Sequence, residues 1–483
     1  MVQFPFMTRR QALLAAFGPA LAAAPEGSRQ ATGVKIGEVS PVSAIVWTRR
    51  TSAFNRLDDG ILRRRHIPRN LDIRPENVDA LVDQFEGACP GAPGFVRLHL
   101  ETVDARASKR LTRWMDVNAA ADFTHAFRLD GLRPATSYRF AVETRPASGK
   151  RSDEKIAGAF RTAPLAHTAA PVRLALLSCQ KYSRMDRADG YWIYDSIAQW
   201  SPDFLLGCGD NVYYDTEDPI ANSVKTARHH WHRTFSLATV RSCLQKVPGY
   251  WQYDDHDVWD SDCWPGMEDV RTSPLTMSQG QSLFREQVPS PEPGKPLYRR
   301  FRWGTALEIW LPDSRAYRSP NPSPDGPQKT IWGPEQKKWL MDTLRASDAQ
   351  WKIMVNPNPM IGPDHKGKAD NHANPAFAFE GAAFRRWLKQ EVGGNVILVN
   401  GDRHWQYHSA DPETGLHEFG CGPASDGHAT SPSEGEDRRY HKFLRVKGGF
   451  LAISVDPRAD NSLVCEHRDV RGGVVHRHVF SKS

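Results

Sequence analysis

Five short, nearly continuous apolar runs, at 172–177, 204–207, 307–311, 352–355 and 396–399, dominate the chain from residue 170 onwards. Runs of this length between polar turns predict strands covered on both faces, as in a layered α/β domain. Helical segments fall between them. Residues 334–344 start on proline with Glu335 in the first turn, and set Trp339, Leu340 and Leu344 on one face. Ligands of open α/β sheets gather beyond the carboxyl ends of the strands, so the residues that follow each strand matter most. Here they are Ser178-Cys179-Gln180, Gly209-Asp210-Asn211-Val212-Tyr213, Asp254-Asp255-His256-Asp257 after Trp251-Gln252-Tyr253, Asn356-Pro357-Asn358, and Asn400-Gly401-Asp402-Arg403-His404. Singly, such an Asp is a turn or cap residue and such a Cys is packing. Together, on one predicted edge, they exceed what folding alone demands.

The residue types suit a pair of metal ions. Two cations a few ångströms apart clamp a phosphate and bring a bound water to a pKa of about 7, giving a hydroxide nucleophile. A carboxylate between them, Asp210, can bridge both. The thiolate of Cys179 and a phenolate from Tyr213 suit a trivalent or soft iron-like ion, whereas the oxygens of Asp255, Asn358 and Asp402 suit a harder ion such as Ca2+ or Mn2+. His256 directly follows a ligand and could protonate the leaving group as a general acid. Arg315, in Asp313-Ser314-Arg315-Ala316-Tyr317-Arg318, either grips phosphate oxygens as a bidentate fork or forms a structural ion pair with a neighbouring Asp.

The ordered set Ser-Cys-Gln, Gly-Asp-x-x-Tyr, Asp-Asp-His-Asp, Asp-Ser-Arg-x-Tyr-Arg and Gly-Asp-Arg-His resembles the PhoD-like alkaline phosphatases and phosphodiesterases of the metallophosphoesterase superfamily, over nearly the whole chain. The resemblance implies a four-layer αββα metallophosphatase domain at 171–483, preceded by an immunoglobulin- or fibronectin-like β-sandwich at 31–165: an α/β fold with an all-β accessory domain. It implies Cys179 and Tyr213 as iron ligands, Asp210 as the bridge, Asp255 in a ligand position and His256 as proton donor. Asp402 and His404 are expected one on each metal, and Asn358 as a further ligand with Asn356 as its alternative. The implied cofactors are Fe3+ with Ca2+, or another divalent ion such as Mn2+ or Zn2+. Two departures, Val258-Trp259-Asp260-Ser261-Asp262-Cys263 in place of a Gly-x-Asn-Asp turn and Pro312 within Leu311-Pro312-Asp313, bear on the pocket wall more than on the metal centre.

Before residue 165 the texture is short alternating strands with turns, among them 44–48, 95–100 and 127–129. Pro134-Ala135-Thr136-Ser137-Tyr138, leading into an alternating strand, resembles the tyrosine corner of β-sandwiches. The polar stretch 51–93, with Arg63-Arg64-Arg65-His66, reads as an inserted loop or short helices with a solvated basic face. At the N-terminus, Arg9-Arg10 precedes a small apolar run ending Ala22-Ala23-Ala24-Pro25, the pattern of a secretory, twin-arginine-like signal over 1–25. Its loss would take the formal charge from +7 to about +5, since it removes Arg9 and Arg10 and no acids.

That mild positive balance carries no polybasic block, so nucleic acid is not expected; the balance fits a small anionic ester as substrate, and ordinary surface variation accounts for it more simply. No apolar run is long enough for a membrane span. The expected product is a periplasmic or secreted hydrolase of phosphoric mono- or diesters that uses the twin-arginine export machinery. The alternatives are the same centre acting on a sulfate ester or phospholipid head group, and a non-catalytic cell-surface binding protein.

Other clusters carry weaker signals. The resemblance implies a helix over the pocket at His229-His230-Trp231-His232. Adjacent helical side chains point about 100° apart and do not easily share an ion, so these are expected at the pocket rim or surface. Arg403, between two proposed ligands, is expected to point away from them, and Asp370-Asn371-His372 to be a polar loop. Seven cysteines leave one unpaired; Cys179 on a metal makes the remainder even, and Cys263 or Cys421 could enter a disulfide. Trp251, Trp259, Trp264 and Trp405 lie near the motifs, as pocket wall or core.

Overall fold

The computed structural model describes residues 29–481 except 72, 74, 104–107, 150 and 433–435; the signal-like segment 1–25 lies outside the described residues. Strands are numbered along the chain. One sheet carries, from edge to edge, β21 (Val474–Phe480), β20 (Leu463–Asp469), β19 (Gly449–Val455), β9 (Val172–Leu177), β10 (Phe204–Cys208), β11 (Gly249–Gln252), β1 (Val34–Gly37), β2 (Ala44–Arg49) and β6 (Thr124–Leu129). A second carries β12 (Arg299–Trp303), β13 (Leu307–Leu311), β14 (Trp351–Asn356), β15 (Val396–Asn400), β17 (His417–Cys421), β16 (Gln406–Ala410) and β18 (His441–Arg445). A third holds β4 (Lys109–Leu111), β3 (Gly94–Thr102), β7 (Ser137–Pro146) and β8 (Ile156–Arg161), with β5 (Met115–Val117) against β3.

All five apolar runs are strands. They form parallel centres, β9-β10-β11-β1 in the first sheet and β13-β14-β15-β17 in the second, with antiparallel strands outside, so both sheets are mixed. Alternation along each strand divides its side chains between two cores. Leu174, Leu176, Phe204 and Leu206 share one core with Ile309, Ile353, Val355 and Val399 of the second sheet. The intervening Ala175, Leu177 and Leu205 pack instead with α1 (Trp192–Trp200), α2 (Val224–Phe235), α3 (Ala238–Leu244) and α4 (Met277–Gln287). On the second sheet Trp310, Met354 and Leu398 pack with α5 (Gly333–Ala346) and α6 (Ala378–Trp387). Helix α5 is the one expected at 334–344; Leu340 and Leu344 are buried and Trp339 partly so.

Among the described residues, the segment before 165 is all-β apart from short 3-10 turns, and the Arg133 backbone N–H donates to the Tyr138 hydroxyl at 2.8 Å, the bond a tyrosine corner requires. Its strands belong to two sheets. β3, β4, β5, β7 and β8 form the third sheet, while β1, β2 and β6 extend the first, with Gly37 of β1 opposite Gly249 of β11. The expected boundary between 165 and 171 therefore falls between strands but not between sheets. A Cβ on Gly37 would lie 2.6 Å from both the Gly249 carbonyl oxygen and Pro289 Cβ, so this junction needs the bare backbone. Side chains seal it: Lys35 donates to the Gln287 carbonyl at 2.6 Å and Trp47 to that of Glu286 at 2.8 Å.

Candidate metal centre

The five strand-end clusters converge. Cys179, Asp210 and Asp402, after β9, β10 and β15, all adopt left-handed backbone, at φ 54°, 54° and 59°. Non-glycine residues rarely take this conformation, and it collects at functional sites. Ligand atoms of Cys179, Asp210 and His404 lie within 4.8 Å of one another, as do those of Asp210, Asp255 and His256. Asp210 belongs to both groups. Its Oδ2 accepts from the Tyr213 hydroxyl at 2.8 Å and from the Cys179 thiol at 3.4 Å, while its Oδ1 is buried without a partner.

Other buried oxygens are left over in the same way. Asn358 donates its amide to Asp254 at 2.9 Å and Asp402 at 3.5 Å, leaving Oδ1 unsatisfied; Asn356 donates to the Asn358 carbonyl at 2.5 Å and also keeps an unpaired Oδ1. Each orphaned buried acceptor costs about 1–3 kcal/mol, and several around one point fit a cation. Protonation agrees. Burial, then Asp255, Asp257 and Asp402, push Asp210 up to about 8 against the opposing pull of His256. Burial and Asp210 raise both the Cys179 thiol and the Tyr213 phenol. Cations displace such protons and release the ligand forms.

His256 stands at the rim of the group. Its Nδ1 lies 2.6 Å from Oδ1 of the buried Asp215, and its ring 4.4 Å from that of Tyr213. Burial opposes its protonation, but Asp215, Asp255 and Asp210 outweigh that and raise it to about 10.

Arg315 forms ion pairs, one of its two expected roles. It is fully buried, with Nε 2.5 Å from Asp254 and Nη2 3.2 Å from Asp370 and 3.6 Å from Asp255. Carboxylates hold Nε and Nη2, so Arg315 braces acids, while its Nη1 is buried without a partner. Arg403 departs from expectation: it reaches back to Asp402 at 2.6 Å and to Asp364 at 2.7 Å, because the left-handed Asp402 breaks the alternation of an extended chain. Asp370, Asn371 and His372 are buried, and Asp370 sits against Arg315. The histidines of α2 are buried too, away from any rim. His230 bonds the Pro219 carbonyl at 2.8 Å and His232 the Asp122 carboxylate at 2.5 Å. All seven cysteines are free and buried, including Cys263 and Cys421. Trp251 and Trp405 are fully buried core.

Sequence reasoning missed three neighbours. Asp215 lies two residues beyond Tyr213, and Asp254 opens the tandem acidic motif; both were within reach of a closer reading. His428, whose ring is 4.0 Å from that of His404 and whose Nδ1 is 3.0 Å from the Cys179 carbonyl, comes from a 3-10 turn with no spacing to announce it.

Residues 174–445 match the family model described as PhoD-like phosphatase, and residues 16–164 that of the PhoD-like phosphatase N-terminal domain. The chain belongs to the PhoD-like phosphatase family. It is 23% identical over 318 residues to alkaline phosphatase D of Bacillus subtilis (strain 168), a match covering 57% of this chain and 52% of that relative, about half its length. Among solved structures it is similar to PhoD, at TM-score 0.71 and 17% identity over 94% of this chain and 89% of the other. It is also similar to a purple acid phosphatase from yellow lupin (Lupinus luteus) seeds, at TM-score 0.61 and 11% identity over 93% and 74%. At these identities the structural matches speak for the fold, and the PhoD-like site motifs rest on the residues above. Among the described residues no helix is long and apolar enough to cross a membrane.

Proposed function

We propose that this chain is an exported, metal-dependent hydrolase of phosphoric esters, with 31–165 as accessory segment and 171–483 as catalytic segment. The observation that carries the reading is Asp210, shared by two ligand groups and holding a buried unpaired oxygen. Cys179, Tyr213 and one of Asp402 and His404 would hold an iron-like ion; Asp255, Asn358 and the other would hold a divalent one, Ca2+, Mn2+ or Zn2+. Such a pair supplies activated water and neutralises charge on the phosphoryl group.

The chain's own residues supply the rest. Asp215 fixes the His256 ring through Nδ1, which directs Nε2 to the leaving oxygen and keeps the ring protonated for donation. Asp254 and Arg315 hold Asp255 and Asn358 in place. The alternation of side chains between cores supports the helix–sheet–sheet–helix layering of metallophosphatases. Export rests on the Arg9-Arg10 pattern, with the twin-arginine machinery as partner.

Turnover of the metal-replete enzyme on phosphomonoester, phosphodiester and sulfate ester substrates, together with elemental analysis, tests the reading. Hydrolysis of a phosphoester with bound metal supports it. Preference for sulfate or phospholipid esters moves the centre to another ester, and silence on the whole panel leaves a binding protein.

A further inference from the structure

A second group of histidines lies outside this centre, where the two large sheets meet near their ends. His408 of β16, His417 of β17 and His478 of β21 bring one nitrogen each to within 4.8 Å of the others. The ring centroids are 5.0, 4.7 and 5.1 Å apart. β16 and β17 belong to the second sheet, whereas β21 is the edge strand of the first.

Buried histidines ordinarily bond a carbonyl or carboxylate, as His467 does with the Gly420 carbonyl at 3.0 Å. His408, fully buried, instead meets only imidazoles in its hydrogen bonds: Nε2 is 2.7 Å from His417 Nδ1, and Nδ1 is 3.1 Å from His476 Nε2. The second contact is what a metal-ligating histidine needs from its far nitrogen, a partner that fixes tautomer and ring plane. Aromatic walls hold the planes further. Phe419 stacks on His408 at 4.1 Å and 15°, and Phe443 on His476 at 4.5 Å and 5°. Burial, with the neighbouring rings, also lowers the His408 and His417 pKa, which keeps both in the neutral ligand form.

We propose that His408, His417 and His478 form a second metal site, for a zinc-like divalent transition ion that clips the edge strand β21 to β16 and β17. Three imidazoles with a fourth position left to water are a common zinc donor set. A tetrahedral ion about 2.0–2.1 Å from each nitrogen requires nitrogens about 3.3 Å apart. The 2.7 Å contact would open slightly, and the wider ones would close. His417 and His478 are half-buried, so solvent and ion can reach the group. The clip would brace β16, which leaves the loop carrying His404 only four residues before His408.

The test dialyses the full chain, carrying its own metals, against buffered zinc and counts zinc by elemental analysis. His417→Gln and His478→Gln, neither in the catalytic centre, are treated alike. One zinc more in wild type than in either variant is expected, with phosphoester turnover retained in both. Zinc should also raise the wild-type unfolding midpoint and leave the variants unmoved. Equal zinc counts in all three proteins overturn the site, as does a wild-type midpoint that does not respond to zinc. His478 lies on an edge strand and is half-exposed, so its glutamine variant keeps the test open if His417→Gln does not fold.

Discussion

His256 Nδ1 and Asp215 Oδ1 stand 2.6 Å apart, with the Asp215 side chain fully enclosed. This buried carboxylate orients the ring and, together with Asp255 and Asp210, keeps it protonated. If His256 protonates the leaving group, Asp215 acts only through it. His256→Ala should lower kcat by about 10²–10⁴-fold, and Asp215→Asn by a similar or smaller factor with little change in KM. The double variant should be no worse than His256→Ala alone, since residues that act as one unit are non-additive. Additive losses in steady-state kinetics would separate the two roles.

Asp210→Asn is the gentlest way to remove the shared carboxylate charge, because Asn tolerates the left-handed backbone at φ 54°. It should strip metal and lower turnover by about 10³-fold or more, the several kcal/mol that a metal supplies. Elemental analysis and a circular-dichroism melt check this; full activity in a folded, metal-free variant would refute it.

Tyr213 offers an optical readout. Its hydroxyl lies 2.8 Å from Asp210, and a phenolate on ferric iron gives a visible charge-transfer band. Tyr213→Phe should lose or shift that band while the near-native fold persists, as read by absorption and circular dichroism.

The stability that His232 contributes should fall as the medium becomes acidic. Burial lowers His232 to about 4, with Arg49 adding to the effect and Asp122 opposing it. Between the unfolded value near 6.5 and about 4, the unfolded chain binds a proton that the folded one refuses, so stability drops as pH falls through that window. The loss from this one group is at most about 3 kcal/mol. Between pH 7 and pH 4 the wild-type melting midpoint should lose ground relative to that of His232→Gln, measured in the same buffers.

The junction of β1 with β11 makes a prediction about fragments. A chain cut to 171–483 loses β1, β2 and β6 and leaves β11 as a bare apolar edge. It should aggregate or stay unfolded, whereas the chain from residue 29 should be soluble. Expression and size-exclusion chromatography decide it.

The strand-end clusters were legible because β9, β10, β13, β14 and β15 are covered on both faces, which writes uninterrupted apolar runs into the sequence. What stayed hidden was long-range or conformational. Parallel pairing of β1 with β11 joins residues more than 200 apart and leaves no local pattern. The orientation of Arg403 depends on the backbone angle at Asp402, which side-chain periodicity cannot report. The α2 histidines read as a helix, but their burial depends on Phe85 and Asp122, brought from the distant N-terminal segment. Asp215 was passed over because an acid two residues past a strand-end motif looks like an ordinary turn.

The order of the first sheet also sets a schedule. Strands from the start of the chain occupy one edge, strands from its end occupy the other, and β9 and β10, whose ends carry Cys179 and Asp210, lie between. That sheet cannot be completed during synthesis, because β19, β20 and β21 emerge last. Topologies dominated by such distant pairings fold slowly. Ions held between Cys179, Asp210 and His404 would therefore meet a finished sheet only once β19, β20 and β21 have paired, which would make metal loading a late step of folding.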